Sequence, residues 1–159
     1  AITDFNLGIK LNPDSASNFI MRGQCYYGMG KFNEAINDFT RALEMSPENP
    51  EYNYWRGLAY YSWEKHKLAF DDLCKAIRVS PNYYDALLYR AYTCEAIGNW
   101  KSAIFDYGQL IRIKPEDGFA FYRRGLAKQE SKDKTACGDF KKAVSLGNED
   151  ATDYAAGCK

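Results

Sequence analysis

Five cysteines, one histidine and four evenly spaced arginines are the residues whose types could do chemistry beyond packing. Cys25, Cys74, Cys94, Cys137 and Cys158 are odd in number and scattered, with no Cys-x-x-Cys or Cys/His spacing that would hold zinc. This predicts free thiols, most of them buried as small hydrophobes, with Cys158 at the tail the most exposed. His66 stands in the polar run Glu64-Lys65-His66-Lys67, where water is its expected neighbour. No Ser or Cys has a recognisable base partner, no glycine-rich phosphate loop appears, and no Glu-x-x-His pair suggests a metal. The residues therefore predict no enzyme, no metal and no cofactor.

Arg22, Arg56, Arg90 and Arg124 could form a ladder for phosphate or RNA. Each, however, lies 15 or 16 residues before an acid, Asp38, Asp72, Asp106 or Asp139, and Asp4 stands at the equivalent place near the start. Across a helical hairpin that separation brings opposite charges together, so the expectation is four structural ion pairs that set register more than they add stability. The 21 Lys and Arg balance 21 Asp and Glu without a block of either sign, which argues against nucleic acid as a partner. No run approaches the length of an apolar membrane span, and the N-terminus lacks a signal-peptide layout. Together with the absence of a disulfide pattern this predicts a cytoplasmic chain, an upstream export signal being the open alternative.

What positions these residues is a repeat. Pro13, Pro47, Pro81 and Pro115 are spaced by 34, and each closes a similar segment: AITDFNLGIKLNP, AINDFTRALEMSP, AFDDLCKAIRVSP and AIFDYGQLIRIKP. A fifth copy, ACGDFKKAVSLGN, has Asn148 at the proline place. The arginines keep the same step, followed by Gly23, Gly57, Ala91 and Gly125, so two independent markers fix the register. The repeats fall at 16–49, 50–83, 84–117 and 118–150, with 1–14 a leading half repeat and 151–159 a short cap, all in one domain. Apolar spacing divides each repeat into two helices, as in Phe19, Gly23, Tyr26 and then Ala35, Ile36, Phe39, Ala42, Leu43. Turn residues such as Gly30 and Gly98 separate them.

The pattern resembles the tetratricopeptide repeat (TPR) family over nearly the entire chain. It departs at Asn53, which takes an early aromatic place, at Leu110 in place of the second alanine, and at Lys128 in place of an aromatic. The resemblance implies an all-α, right-handed superhelical solenoid of antiparallel helix pairs, whose first helices line a concave groove. It places Tyr27, Tyr54, Trp55, Leu58, Tyr61, Leu88, Tyr89, Tyr92, Tyr122 and Arg123 on that groove, a strongly aromatic set suited to a peptide segment of a partner protein. One branch of the family grips a C-terminal carboxylate with Lys, Arg and Asn. Those places here hold Ile20, Gln24, Trp55, Asp85 and Tyr89, or one repeat later Tyr54, Leu58, Tyr89, Phe119 and Arg123, so that clamp is essentially absent.

The expected function is a scaffold or adaptor that binds a peptide. The alternative is a structural spacer or self-association module, because the half repeat carries Ile2, Phe5, Leu7 and Ile9 on a face that needs covering. A homo-oligomer joined through that end would supply the cover.

Overall fold

The computed structural model describes residues 2–158, and every regular element among them is helical. In chain order these are α1 (Ile2–Leu11), α2 (Ala16–Gly28), α3 (Phe32–Met45), α4 (Pro50–Ser62), α5 (His66–Val79), α6 (Tyr84–Ala96), α7 (Trp100–Ile113), α8 (Gly118–Glu130) and α9 (Ala136–Ser145). A single 3₁₀ turn (Glu149–Ala151) and a short α10 (Thr152–Ala156) follow. The helices gather into two compact units, one running to Ala86 and the other starting at Leu87. None of the described helices is long and apolar enough to cross a membrane.

Helix starts follow the capping chemistry of the sequence. Asn49 accepts from the backbone N–H groups of Glu51 (2.9 Å) and Tyr52 (3.2 Å), with Pro50 at the first helical place. Asp117 does the same for Phe119 (3.1 Å) and Ala120 (3.2 Å) at the start of α8. Each hairpin turn ends its first helix with a residue in the left-handed region: Gly30 (φ 72°), Glu64 (φ 58°), Gly98 (φ 73°) and Lys132 (φ 62°). The next N–H then reaches back to the helix, Lys31 to Tyr26 (2.9 Å), Lys65 to Tyr60, Asn99 to Cys94 and Asp133 to Lys128 (2.8 Å each), satisfying carbonyls that the helix end would leave unpaired.

Within the hairpins the crossing is close. A Cβ added to Gly23 would lie 2.6 Å from the Phe39 ring, one added to Gly57 would lie 2.9 Å from Leu73, and one added to Gly125 would lie 2.6 Å from Phe140. Ala35, Ala42, Ala69, Ala76, Ala103 and Ala143 are fully buried on the second helices, and Leu110 is as fully buried as the alanines whose place it takes. The other two departures are compensated by polar bonds. Buried Asn53 donates to the carbonyls of Pro47 (3.3 Å) and Asn49 (3.0 Å), and Lys128 extends its ammonium to Asp139 (2.9 Å).

All four arginines are paired as expected. Arg22 donates to Asp38 through two nitrogens at 2.8 and 2.6 Å, Arg56 to Asp72 at 2.6 and 2.9 Å, Arg90 to Asp106 at 2.8 and 2.6 Å, and Arg124 to Asp139 at 2.8 and 2.6 Å. In the first unit the remaining guanidinium nitrogen reaches the preceding helix, to Asn6 of α1 from Arg22 (2.7 Å) and to Thr40 of α3 from Arg56 (3.2 Å). Burial raises the Asp106 carboxyl above the usual carboxylate range even though Arg90 opposes the shift.

Two expectations need correction. Cys137 and Cys158 are not free: they form a disulfide (Cα–Cα 5.6 Å). Of the others only Cys94 is fully buried, while Cys25 and Cys74 are half-buried. Pairing depends on α10 folding back along α9, a tertiary event that scattered spacing does not encode. The inference of a reducing compartment from the cysteine pattern loses its basis. His66 is also not a solvated turn residue. It opens α5 half-buried, with its ring 5.7 Å from Tyr61 and its Nδ1 enclosed without a hydrogen-bond partner. In α1, Phe5 and Ile9 are half-buried, whereas Leu7 and Leu11 are exposed.

The left-handed turns and the close crossings lead to opposite stability effects. Glu64→Gly or Lys132→Gly relieves a strained backbone and raises the unfolding free energy by about 1 kcal/mol in urea titration. Gly23→Val drives a side chain into Phe39 and lowers it by about 2–3 kcal/mol. Gly28→Ala, where an added Cβ meets nothing within 4 Å, gives a gain of about 0.5 kcal/mol from helix propensity.

Candidate functional site

On α4 the stretch Tyr54-Trp55-Arg56-Gly57-Leu58 puts Tyr54 and Leu58 one turn apart on a single stripe and rotates Trp55 about 100° away from it. The structure uses that difference. Tyr54 (8% exposed) and Leu58 (4%) are buried, Tyr54 lying 5.0 Å from Tyr83, so both belong to the interior and not to an open face. Trp55 remains half-buried, with ring centroids of Tyr54 at 5.5 Å, Tyr27 at 6.3 Å and Phe39 at 6.3 Å. Its indole N–H donates to Glu51 (3.4 Å).

Tyr27 is held by Phe32 (5.9 Å) and by a hydrogen bond between its hydroxyl and that of Ser62 (2.9 Å). Met21, one turn before Gln24 and Cys25 on the same helix, is exposed. Tyr61 is half-buried against His66. The first unit thus presents Tyr27, Trp55 and Tyr61, each fixed by neighbours on one side. The charges that act on Tyr83, which packs on Tyr54 behind Trp55, are acidic: its hydroxyl is pushed up to about 12 by burial, with Glu51 and then Asp85 adding to the shift.

The second unit brings Leu88, Tyr89 and Tyr92 together on α6, all half-buried, with Tyr89 and Tyr92 edge to face at 5.7 Å. Arg123 lies over the Tyr92 ring (4.8 Å). Its guanidinium is ion-paired to Glu95 and donates to the Tyr107 hydroxyl (3.3 Å), and that hydroxyl donates to Glu95 (2.8 Å). Burial first, then Glu95, pushes the Tyr107 hydroxyl far up, so it stays a donor. The positive charge of Arg123 is therefore spent inside the protein, and what it offers outward is a clamped Tyr92 ring.

Tyr122 sits 6.4 Å from Phe140 and 5.8 Å from Tyr154, and its hydroxyl is pushed up by burial and then by Tyr154. Tyr154 of α10 therefore flanks one side of it. Glu95 and Tyr107, the buried polar node that orients Arg123, went unrecognised in the sequence as a pair. The only signal for it is that Tyr107 stands where the other repeats have Phe39, Leu73 and Phe140.

A family model described as TPR repeat matches residues 23–62, and one described as tetratricopeptide repeat matches 50–83. No curated protein matches the sequence. Among solved structures, a crystal structure of MamA is similar at 26% identity and TM-score 0.87, covering 95% of this chain and 89% of that one. YrrB, described as a TPR protein with an unusual peptide-binding site, is similar at 20% identity and TM-score 0.85, covering 98% and 81%. The first TPR of Spaghetti (RPAP3), bound to the HSP90 peptide SRMEEVD, is similar at 25% identity and TM-score 0.70, covering 74% and 93%. Residues 23–83 thus carry tetratricopeptide repeats, and the all-α fold built on them is shared with a solved structure over 95% of the chain.

Proposed function

We propose that this chain is a protein-interaction module that binds an extended, largely apolar peptide segment carrying a basic residue, with Trp55 as the anchor. The observation that carries the reading is the Trp55 ring, left half-open between Tyr27 and Tyr54 while Tyr54 and Leu58 on the same helix are buried. A rigid indole backed by other rings gives contact area without ordering cost, which is the character of an interface hot spot. YrrB and the Spaghetti repeat, both similar in fold, are described with peptide sites.

The chemistry of the peptide follows from the charges. Glu51 and Asp85 flank the ring cluster without a basic partner among the described residues, and Arg123 is neutralised by Glu95. An acidic carboxyl-terminal tail of the SRMEEVD kind meets no free cation at the places where the resemblance puts a clamp. A Lys or Arg flanked by apolar residues meets carboxylates and π faces.

Peptides selected from a random display library against the purified chain provide the test, with affinity read by calorimetry. Trp55→Ala weakens the selected peptides at least about tenfold, Glu51→Gln weakens basic ones a few-fold at low salt and less at high salt, and Leu68→Ala on the exposed part of α5 changes nothing. A bound basic residue also lowers the Tyr83 hydroxyl from its value of about 12, visible in a tyrosinate titration. Failure to select any peptide, or equal affinity for wild type and Trp55→Ala, sinks the reading.

A further inference from the structure

We propose that Cys137 and Cys158 are a thiol–disulfide redox site, opened by small dithiols, whose oxidised state locks residues 149–158 over the Tyr122 and Phe140 rings. The bond spans 21 residues and joins the first turn of α9 to the end of the segment that follows α10. Both cysteines are half-buried, and both line an open cavity of about 500 Å³ whose charged walls are Lys132, Asp133, Lys134 and Asp153. A small reductant has access to the sulfurs.

The exchange has a preferred direction. A thiolate of the dithiol attacks Sγ of Cys158; the new S–S bond forms there, and Sγ of Cys137 leaves with the bonding pair. That thiolate sits in the first turn of α9, where the N–H end of the helix favours it. The second thiol of the reductant then displaces Cys158 and leaves as a cyclic disulfide. Two electrons and two protons have passed from the dithiol to the cysteine pair.

The covalent bond matters because little else holds the segment. Within 149–158 only Ala151 is fully buried, and Tyr154 keeps more than a third of its surface exposed while stacking on Phe140 (4.9 Å) and meeting Tyr122 (5.8 Å). Ala155 and Cys158 complete its contact with the Ala136–Phe140–Ala143 cluster. A helix of five residues has no stability of its own. Cutting the tether leaves the Tyr154 ring, Ala151, the half-buried Ala155 and Cys158 and one Asn148 cap against the entropy of the freed tail, so the reduced segment detaches and uncovers Phe140 and Tyr122.

The full chain, air-oxidised or treated with dithiothreitol, is alkylated and weighed, and its amide hydrogen exchange is followed by peptide. The oxidised protein is expected to alkylate only at Cys25, Cys74 and Cys94 after unfolding. Reduction is expected to speed exchange in 149–158 by at least about tenfold while α8 and α9 keep their protection. Cys158→Ser shows the fast tail without reductant and no further response to it. Alkylation of all five cysteines without reductant, tail exchange that ignores redox state, or loss of protection throughout α8 and α9 on reduction each overturns the proposal. None of these readouts uses a peptide ligand, so the outcome is independent of the binding reading.

Discussion

The helix crossing inside each hairpin is the constraint on which the other features rest. In α2 and α3 the Phe39 ring sits where a side chain at Gly23 would have to be, and Gly125 with Phe140 repeats the arrangement in α8 and α9. Once two helices approach that closely, their facing stripes can hold only small residues plus one plug. Every other large side chain must turn outward or toward the neighbouring hairpin. The third repeat shows the constraint from the other side. Ala91 occupies the glycine place there and the plug is Tyr107, whose hydroxyl continues past the crossing to Glu95. A change at the contact thus becomes a polar node beside the crossing, and that node is what positions Arg123 over Tyr92.

The arginine and aspartate pairs depend on the same geometry. Only at a fixed crossing do side chains 15 or 16 residues apart meet with both guanidinium nitrogens aligned on one carboxylate. Their energetic return is modest, since Asp106 is so deeply buried that its carboxyl is raised despite a direct partner. What the pairs supply is register. With one guanidinium held by its own hairpin and a third nitrogen reaching Asn6 or Thr40, each arginine in the first unit specifies which turn of the preceding helix lies beside it.

The repeat, the hairpins and the ion pairs were legible because each is stated several times at a fixed step, so chance matches are filtered out. What could not be read was stated only once. Tyr54 and Trp55 are adjacent aromatics of similar size, and nothing in the letters says which is taken into the interior; the answer lies in Tyr83, 29 residues on in sequence and 5.0 Å away in space. The Cys137–Cys158 bond needs a tail that folds back, and a five-residue helix leaves almost no periodic trace. His66 was misplaced for a related reason: a polar run reads as solvent, yet the first residue of a helix can still rest its ring on Tyr61.

Departures from the pattern show how much freedom the crossing leaves. Asn53 replaces a ring yet stays buried because it finds two carbonyls, and Lys128 replaces a ring because Asp139, already held by Arg124, can accept a second cation. Both substitutions fall where a polar group can be satisfied locally; at the glycine of a crossing, where no local bond would make room, the one departure is the small Ala91. Trp55 fits the same logic. It lies off the interior stripe, so neither the crossing nor the ion pairs require an indole there, and its donor is already used by Glu51 on the same helix. The fold accounts for the Tyr54 and Leu58 side chains through burial, whereas Trp55 packs one side on Tyr27, Phe39 and Tyr54 and stays half-open on the other. A large ring backed by three others and half-open on its free side has the character of an interface hot spot, which is why the proposed peptide anchor is placed on Trp55 and not on the buried Tyr54.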